Sequence, residues 1–326
     1  MSGVCSPGRK LLSMISRLLI VTVVVAVVSG SAAWAADAVF PPGSRIGLVP
    51  PPGVVTSKSF PGFEDKAHGV AIFMNEVPVE SAGEAERAFS AEGLKAQGLG
   101  FEKREDTKSK DWRGALVVAR QELSGVPVHK WIMSAIGSDA AAIIGMQVPD
   151  AAQTLYPEAA IRAALMSTVF RPAPVAERLA MLPYAMANLA GFRLLQASAE
   201  GTALLTDGPK DVLTGMDQPF VLVTMTLSPP PQPSNYDAFA RQVVASVPGI
   251  KGIRVVSAQA LTLGAQPGYE VVAEGQNEKN GNDVTLVQWL RFGSTGFLRI
   301  IGIAPRSGWA AVFPRLRNVR DGIGPK

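Results

Sequence analysis

Residues 70–77 read VAIFMNEV, an apolar run that Pro78 ends, and residues 220–227 (FVLVTMTL) repeat the design ahead of Pro229, Pro230 and Pro231. Runs of this length closed by proline predict strands. After each comes a hydroxyl residue with a carboxylate three places on: Ser81 with Glu84, and Ser234 with Asp237. That spacing predicts a helix start, because hydroxyl and carboxylate each satisfy a backbone N–H that the first turn leaves unpaired. The first helix is expected to reach about Gln97, with Ala85, Ala88, Phe89 and Leu94 inward. The second carries Tyr236, Phe239, Val243 and Val247 on one side.

Around these elements, residues 45–49 predict a first strand halted by Pro50-Pro51-Pro52-Gly53, and residues 62–66 predict a turn. The charged stretch 103–111 predicts a solvated turn. Residues 116–122 and 128–136 predict paired strands joined around Ser124-Gly125, and 141–148 a further strand after Gly137-Ser138-Asp139. Ile161, Ala164, Leu165, Thr168 and Val169 recur at helical spacing, and Pro157 suits the first turn, where its missing N–H costs little. In the second half, 192–195, 203–205, 253–256, 269–274, 284–292 and 297–303 predict strands, with turns at Glu200-Gly201 and Asn280-Gly281. Trp309, Val312, Phe313, Leu316, Val319 and Ile323 predict the last helix.

The halves share spelling as well as pattern. Trp131, Ile143-Ile144-Gly145 and Tyr156-Pro157 return as Trp289, Ile300-Ile301-Gly302 and Phe313-Pro314. Gly114 before Val117-Val118-Ala119 returns as Gly268 before Val271-Val272-Ala273. This predicts one structural unit used twice, 36–172 and 173–326, linked at prolines 172 and 174. The expected fold class is α+β: two tandem α/β/α sandwiches, each an antiparallel sheet covered by two helices.

That order, with Val49-Pro50-Pro51-Pro52-Gly53, Trp131, Gly145 and a closing helix over 156–170, resembles the PsbP-like α/β/α sandwich of photosystem II extrinsic proteins and several bacterial envelope proteins. In the second half Leu189-Ala190-Gly191-Phe192 stands where the proline-glycine start would be. The resemblance implies docking to other proteins.

The first 35 residues change the address of the chain. Arg9, Lys10 and Arg17 precede an apolar core at 18–28, and Ala33-Trp34-Ala35 supplies the small residues of a cleavage site. This predicts a signal peptide over 1–35, cleaved after Ala35, and a secreted or periplasmic protein with no membrane span once the leader is gone. A kept leader would instead be an anchor. Cys5, the single cysteine, leaves with it, so no disulfide can form in the mature chain. Three of the 31 Lys and Arg residues leave too, so 28 basic side chains face 27 acidic ones. That balance, together with export, sets nucleic-acid binding aside.

Candidate chemistry is sparse. A zinc site would need both His68 and His129 with Glu64 or Asp65. The plainer reading turns His129 outward on a strand and leaves His68 in a polar turn. No G-x-S-x-G elbow occurs, and turn chemistry accounts for Ser124, Ser138 and Ser294. Gly98-x-Gly100 followed by Lys103 is no phosphate loop, and Asn277–Asp283 reads as a hairpin tip before a calcium loop. Trp131 and Trp289 read as core residues before cleft walls. Arg306, Arg315, Arg317 and Arg320 read as a solvated helix face, with a patch for an acidic partner as the alternative. No catalytic, cofactor or metal residue is therefore assigned. The sequence points to an exported, non-catalytic interaction protein with an envelope protein partner. A carrier or sensor of a small apolar ligand is the second reading, and an envelope hydrolase the third.

Overall fold

The computed structural model describes residues 37–326. The leader expected over 1–35 lies outside them. The first half contains β1 (Ile46–Gly47), β2 (Val55–Thr56), β3 (Gly62–Asp65) and β4 (Val70–Val77). Helices α1 (Ala82–Ala88) and α2 (Ala91–Ala96) follow, then β5 (Gly100–Lys108), β6 (Arg113–Leu123), β7 (Val126–Ile136) and β8 (Ala141–Pro149). Helix α3 (Glu158–Met166) and β9 (Val169–Phe170) end this half, and α4 (Val175–Met181) begins the next. There follow β10 (Ala185–Met186), β11 (Arg193–Ala197), β12 (Ala203–Thr206), β13 (Phe220–Thr226) and α5 (Tyr236–Ala245). The chain closes with β14 (Ile250–Leu263), β15 (Gln266–Asn277), β16 (Asp283–Phe292), β17 (Phe297–Pro305), α6 (Trp309–Asp321) and β18 (Ile323–Gly324).

Two antiparallel seven-stranded sheets result, in the orders β2-β3-β4-β8-β7-β6-β5 and β11-β12-β13-β17-β16-β15-β14. Each strand of the second is the ninth after its counterpart in the first. The same holds for the two small pairs, β1 with β9 and β10 with β18. One face of the first sheet packs Trp131, Met133, Ile144 and Met146 against Ile161 and Leu165 of α3. The other packs Val117, Ala119, Ile132 and Ile143 against Leu94 of α2 and half-buried Ala85. In the second sheet Val287, Trp289 and Ile300 meet Val312, Leu316 and Val319 of α6, and Val271, Leu286 and Ile301 meet Ala240 and Val244 of α5. The protein is thus an α+β fold of two α/β/α sandwiches.

Several expectations are corrected. Residues 62–66 are not a turn but the strand β3, and 103–111 falls mostly in β5, whose side chains stay charged because β5 is an exposed edge. The 45–49 strand shortens to β1 and joins β9, outside the main sheet. The helix expected to reach Gln97 breaks at Phe89–Ser90, where the Ser90 hydroxyl accepts from the Gly93 N–H at 3.1 Å. Ala88 is exposed. Neither capping box forms: Ser81 caps α1 without a side-chain bond, and Ser234 lies in a short 3-10 turn before α5. Asp237 serves elsewhere, accepting from the Tyr269 hydroxyl at 2.5 Å and from Arg241 at 2.8 Å. Helix α4 had no sequence forecast.

The spelled repeat also needs correction. Gly145 lies opposite Ile132, on the α1–α2 side of its sheet. Gly302 lies opposite Val287, on the α6 side, where a β-carbon would meet Leu316 at 2.7 Å. The duplication holds for the order of elements, while these two glycines face opposite layers.

Candidate functional site

The first sandwich holds a pocket of about 230 Å³ where β5, β6 and β7 meet the approach to α3. A β-bulge between Phe101 and Lys103 breaks the alternation of β5, so neighbouring Glu102 and Lys103 both line it. From β7 come His129 and Trp131; from beyond β8 come Gln153, Tyr156 and Glu158. Lys103 Nζ and Glu158 Oε1 pair across the mouth at 2.5 Å, each about half exposed. The lining is mostly polar, unlike the apolar cavity a carrier of apolar ligands would need.

His129 is not the outward strand residue the sequence suggests; it is only 8% exposed. The turn after β8 covers that face and brings Asp150 Oδ1 to 3.0 Å from Nδ1, with the Gln153 amide also against that nitrogen. Glu102 stands 3.7 Å from Nε2 and is itself held by Arg120 at 2.6 Å. The His129 and Trp131 rings lie 5.6 Å apart, tilted. His68 does sit in a turn, its Nδ1 2.5 Å from Asp65 Oδ2. The Tyr156 hydroxyl donates to the same carboxylate oxygen at 2.7 Å. That bond, and His68 after it, hold the Asp65 carboxyl below its usual range. Burial, reinforced by Asp65, pushes the Tyr156 hydroxyl up to about 12. Among the described residues, no three of His, Asp and Glu gather to hold a metal ion.

The two tryptophans are both buried on strands matched by sheet order, and both face the closing helix. Their polar ends differ. Trp289 Nε1 donates to Glu270 Oε2 at 2.6 Å, and Glu270 is the residue across the ladder. Across the ladder from Trp131 is Val118, which offers no acceptor, and the buried Nε1 of Trp131 has no partner among the described residues. Phe313 stacks beside Trp289, and the Arg320 guanidinium lies 5.0 Å from its ring.

The arginines of the last helix are mostly engaged within the chain. Arg306 pairs with Glu274 and Asp283, Arg315 with Asp207, and Arg320 with Glu270 and Asp321. Arg317 lies over Phe313 at 4.3 Å. This leaves little for an acidic-partner patch. At the hairpin tip, buried Asn277 accepts from the N–H groups of Lys279 and Asn280 and donates to Thr214 O, a structural role.

A second feature is the pair of outer strands. In β5 (GFEKREDTK) six of nine side chains are charged. In β14 the nine residues from Val255 to Leu263 (VVSAQALTL) carry no charge, and Val256 is 53% exposed. Both strands are edges, so alternate residues present N–H and C=O groups outward. In the sequence only 253–256 of this strand stands out, since small polar residues after it hide the β period.

No family model matches the chain, and no curated protein matches it. Among solved structures, it is similar to LpqN of Mycobacterium tuberculosis, involved in cell envelope biogenesis: 17% identity over 41% of this chain and 79% of that one, TM-score 0.33. The solution structure of cyanobacterial PsbP from Synechocystis is 12% identical over 42% of this chain and 94% of its own, TM-score 0.28. The type VI secretion immunity protein TplEi of Pseudomonas aeruginosa is 10% identical over 88% and 97%, TM-score 0.26. At these values the fold rests on the strand order described above, and membership of the PsbP-like family does not follow. No helix among the described residues is long and apolar enough to cross a membrane.

Proposed function

We propose that the mature chain is an exported, non-catalytic docking protein of two tandem units, 36–172 and 173–326, that receives an extended segment of an envelope protein along β14. The observation that carries this reading is the contrast between β5 and β14, the long edge strands of the two sheets. Exposed edges invite strand addition, and folded proteins blunt them with charge. β5 is blunted in that way and β14 from Val255 onward is not. The fitting partner is an uncharged extended segment with an acidic residue at the end that meets exposed Lys251. Export is supported by the leader-like sequence over 1–35.

The test compares the mature chain with Ala260→Lys and Thr262→Lys, both on exposed positions where a charge should leave stability within about 0.5 kcal/mol. A stoichiometric protein retained from envelope extract by the parent should be lost by both variants. Adding that purified partner should slow amide exchange across 255–263. Equal retention by parent and variants, or unchanged exchange in β14, would sink the proposal, as would a self-dimer through β14 seen in ultracentrifugation.

A further inference from the structure

The proline run after β13 is independent of the docking edge, with β17, β16 and β15 standing between β13 and β14 in their sheet. We infer that residues 227–233 (LSPPPQP) are a second docking ridge, for a protein partner whose uncharged groove is lined by tryptophan and tyrosine side chains.

The first sandwich shows how little chain this connection needs. There Pro78 alone joins β4 to the 3-10 turn Val79–Ser81 ahead of α1. In the second sandwich residues 227–232 stand between β13 and the turn Pro233–Asn235 ahead of α5. Ending a strand and starting a helix therefore do not account for the added residues. Nor does core packing. Leu227 is 76% exposed, the most of any large apolar side chain among the described residues, and Pro229, Gln232 and Pro233 are exposed as well.

The residue types set the backbone. Proline holds φ at about −65°, and Ser228, Pro229, Pro230 and Gln232 each precede a proline, which drives them to extended values. Gln232, at φ −61° and ψ 146°, has the left-handed polyproline conformation. That helix repeats about every three residues, so Leu227, Pro230 and Pro233 share one edge. Its carbonyl groups are free: among the described residues no backbone hydrogen bond reaches 228–231. Both ends are held, since Thr226 pairs with Phe297 in the ladder and Tyr236 stacks on Phe292 at 3.7 Å. The ridge is thus ordered before a partner arrives, which lowers the entropy cost of docking.

An apolar edge with free carbonyls calls for flat apolar walls that also donate hydrogen bonds. Tryptophan and tyrosine combine both in one side chain. No charge occurs from Leu227 to Tyr236, so a charged groove would lose its water here without compensation. A lipid surface fits worse, because the run has no basic residue for headgroups and its carbonyls would go unpaired in hydrocarbon.

The test places p-benzoylphenylalanine at Leu227 of the full chain, made in its native cells, and fixes its neighbour with ultraviolet light. One envelope protein should be captured, attached beside a tryptophan or tyrosine. That protein is then purified and titrated with the mature chain. Leu227→Ser and Pro233→Ala, both at exposed positions, should each weaken the complex about tenfold or more, the worth of one buried apolar side chain, with the urea midpoint unchanged. Ser228→Ala, off the shared edge, should bind as the parent does, and added salt should not weaken the complex. No captured protein, attachment to lipid or to a second copy, or a contact without tryptophan or tyrosine would overturn the inference. So would equal binding by parent, Leu227→Ser and Pro233→Ala. The label reports on this run alone, so its failure would leave the β14 reading standing.

Discussion

At the scale of single residues, the two tryptophans make opposite forecasts for the same substitution. Trp289→Phe deletes a 2.6 Å bond to a carboxylate that is itself buried, leaving Glu270 with Gln259 and a 3.7 Å contact to Arg320. The expected loss is about 2–3 kcal/mol, combining a charged hydrogen bond with the lost ring volume. Trp131→Phe removes an N–H that has no partner, so only the volume change remains and the loss should stay below about 1.5 kcal/mol. Urea titration of both variants decides it; equal losses would mean the Trp131 N–H is satisfied. Tyr156 gives a pH forecast. Its folded pKa, about 12, exceeds the unfolded value near 10, so the fold holds its proton longer. The resulting stability is complete below about pH 10 and is lost as pH rises toward 12, by up to about 2–3 kcal/mol. Tyr156→Phe should flatten that alkaline slope. Asp65 runs the other way: its depressed carboxyl contributes above about pH 4, and the contribution fades on acidification.

At the scale of elements, the sequence was informative wherever one periodicity dominated. β4 and β13 were legible from apolar runs with proline stops, and α6 from its buried stripe. β5 was not, because an edge strand with charge on both faces has the composition of a loop; only its partner β6 reveals it. The bulge that places Glu102 and Lys103 together left no trace in residue type, so the pocket was invisible with it. The glycines make the same point and carry a prediction. A β-carbon at Gly114 would meet the Ser134 carbonyl oxygen at 1.9 Å, whereas one at Gly145 would meet nothing within 4 Å. Gly114→Ala should therefore destabilise by about 1–3 kcal/mol through forced backbone shifts. Gly145→Ala should be neutral or stabilising by a few tenths, through the lowered entropy of the unfolded chain. Thermal unfolding of the two variants measures the difference, and a harmless Gly114→Ala would refute the close strand approach.

At the scale of the whole molecule, a chain with two duplicated sheets nevertheless coheres over residues 37–326 as one unit. Helix α4, absent from the sequence forecast, explains how. Its Arg178 is 6% exposed, and its guanidinium donates to Gly43 O at 2.9 Å, to Leu195 O at 2.6 Å and to Glu76 Oε2 at 2.5 Å. Those acceptors belong to the extended start, the second sheet and the first sheet. Glu177 on the same helix accepts from the Gly43 N–H at 3.1 Å and from Arg171 at 2.7 Å, which closes the knot. One buried guanidinium thus couples two sandwiches that each have their own apolar core. Arg178→Met keeps much of the stem's packing but removes the donors, leaving Glu76 its 3.4 Å contact with Arg45. Breaking such a pair from one side costs about 3–5 kcal/mol when the other group is buried; Glu76 is a third exposed, so about 2–3 kcal/mol is expected. The sharper forecast concerns cooperativity. Calorimetry of the parent should show one transition, and of Arg178→Met two, because each core outlasts the loss of the coupling. A single transition in the variant at an unchanged midpoint would show that the sandwiches are held together by something other than this arginine.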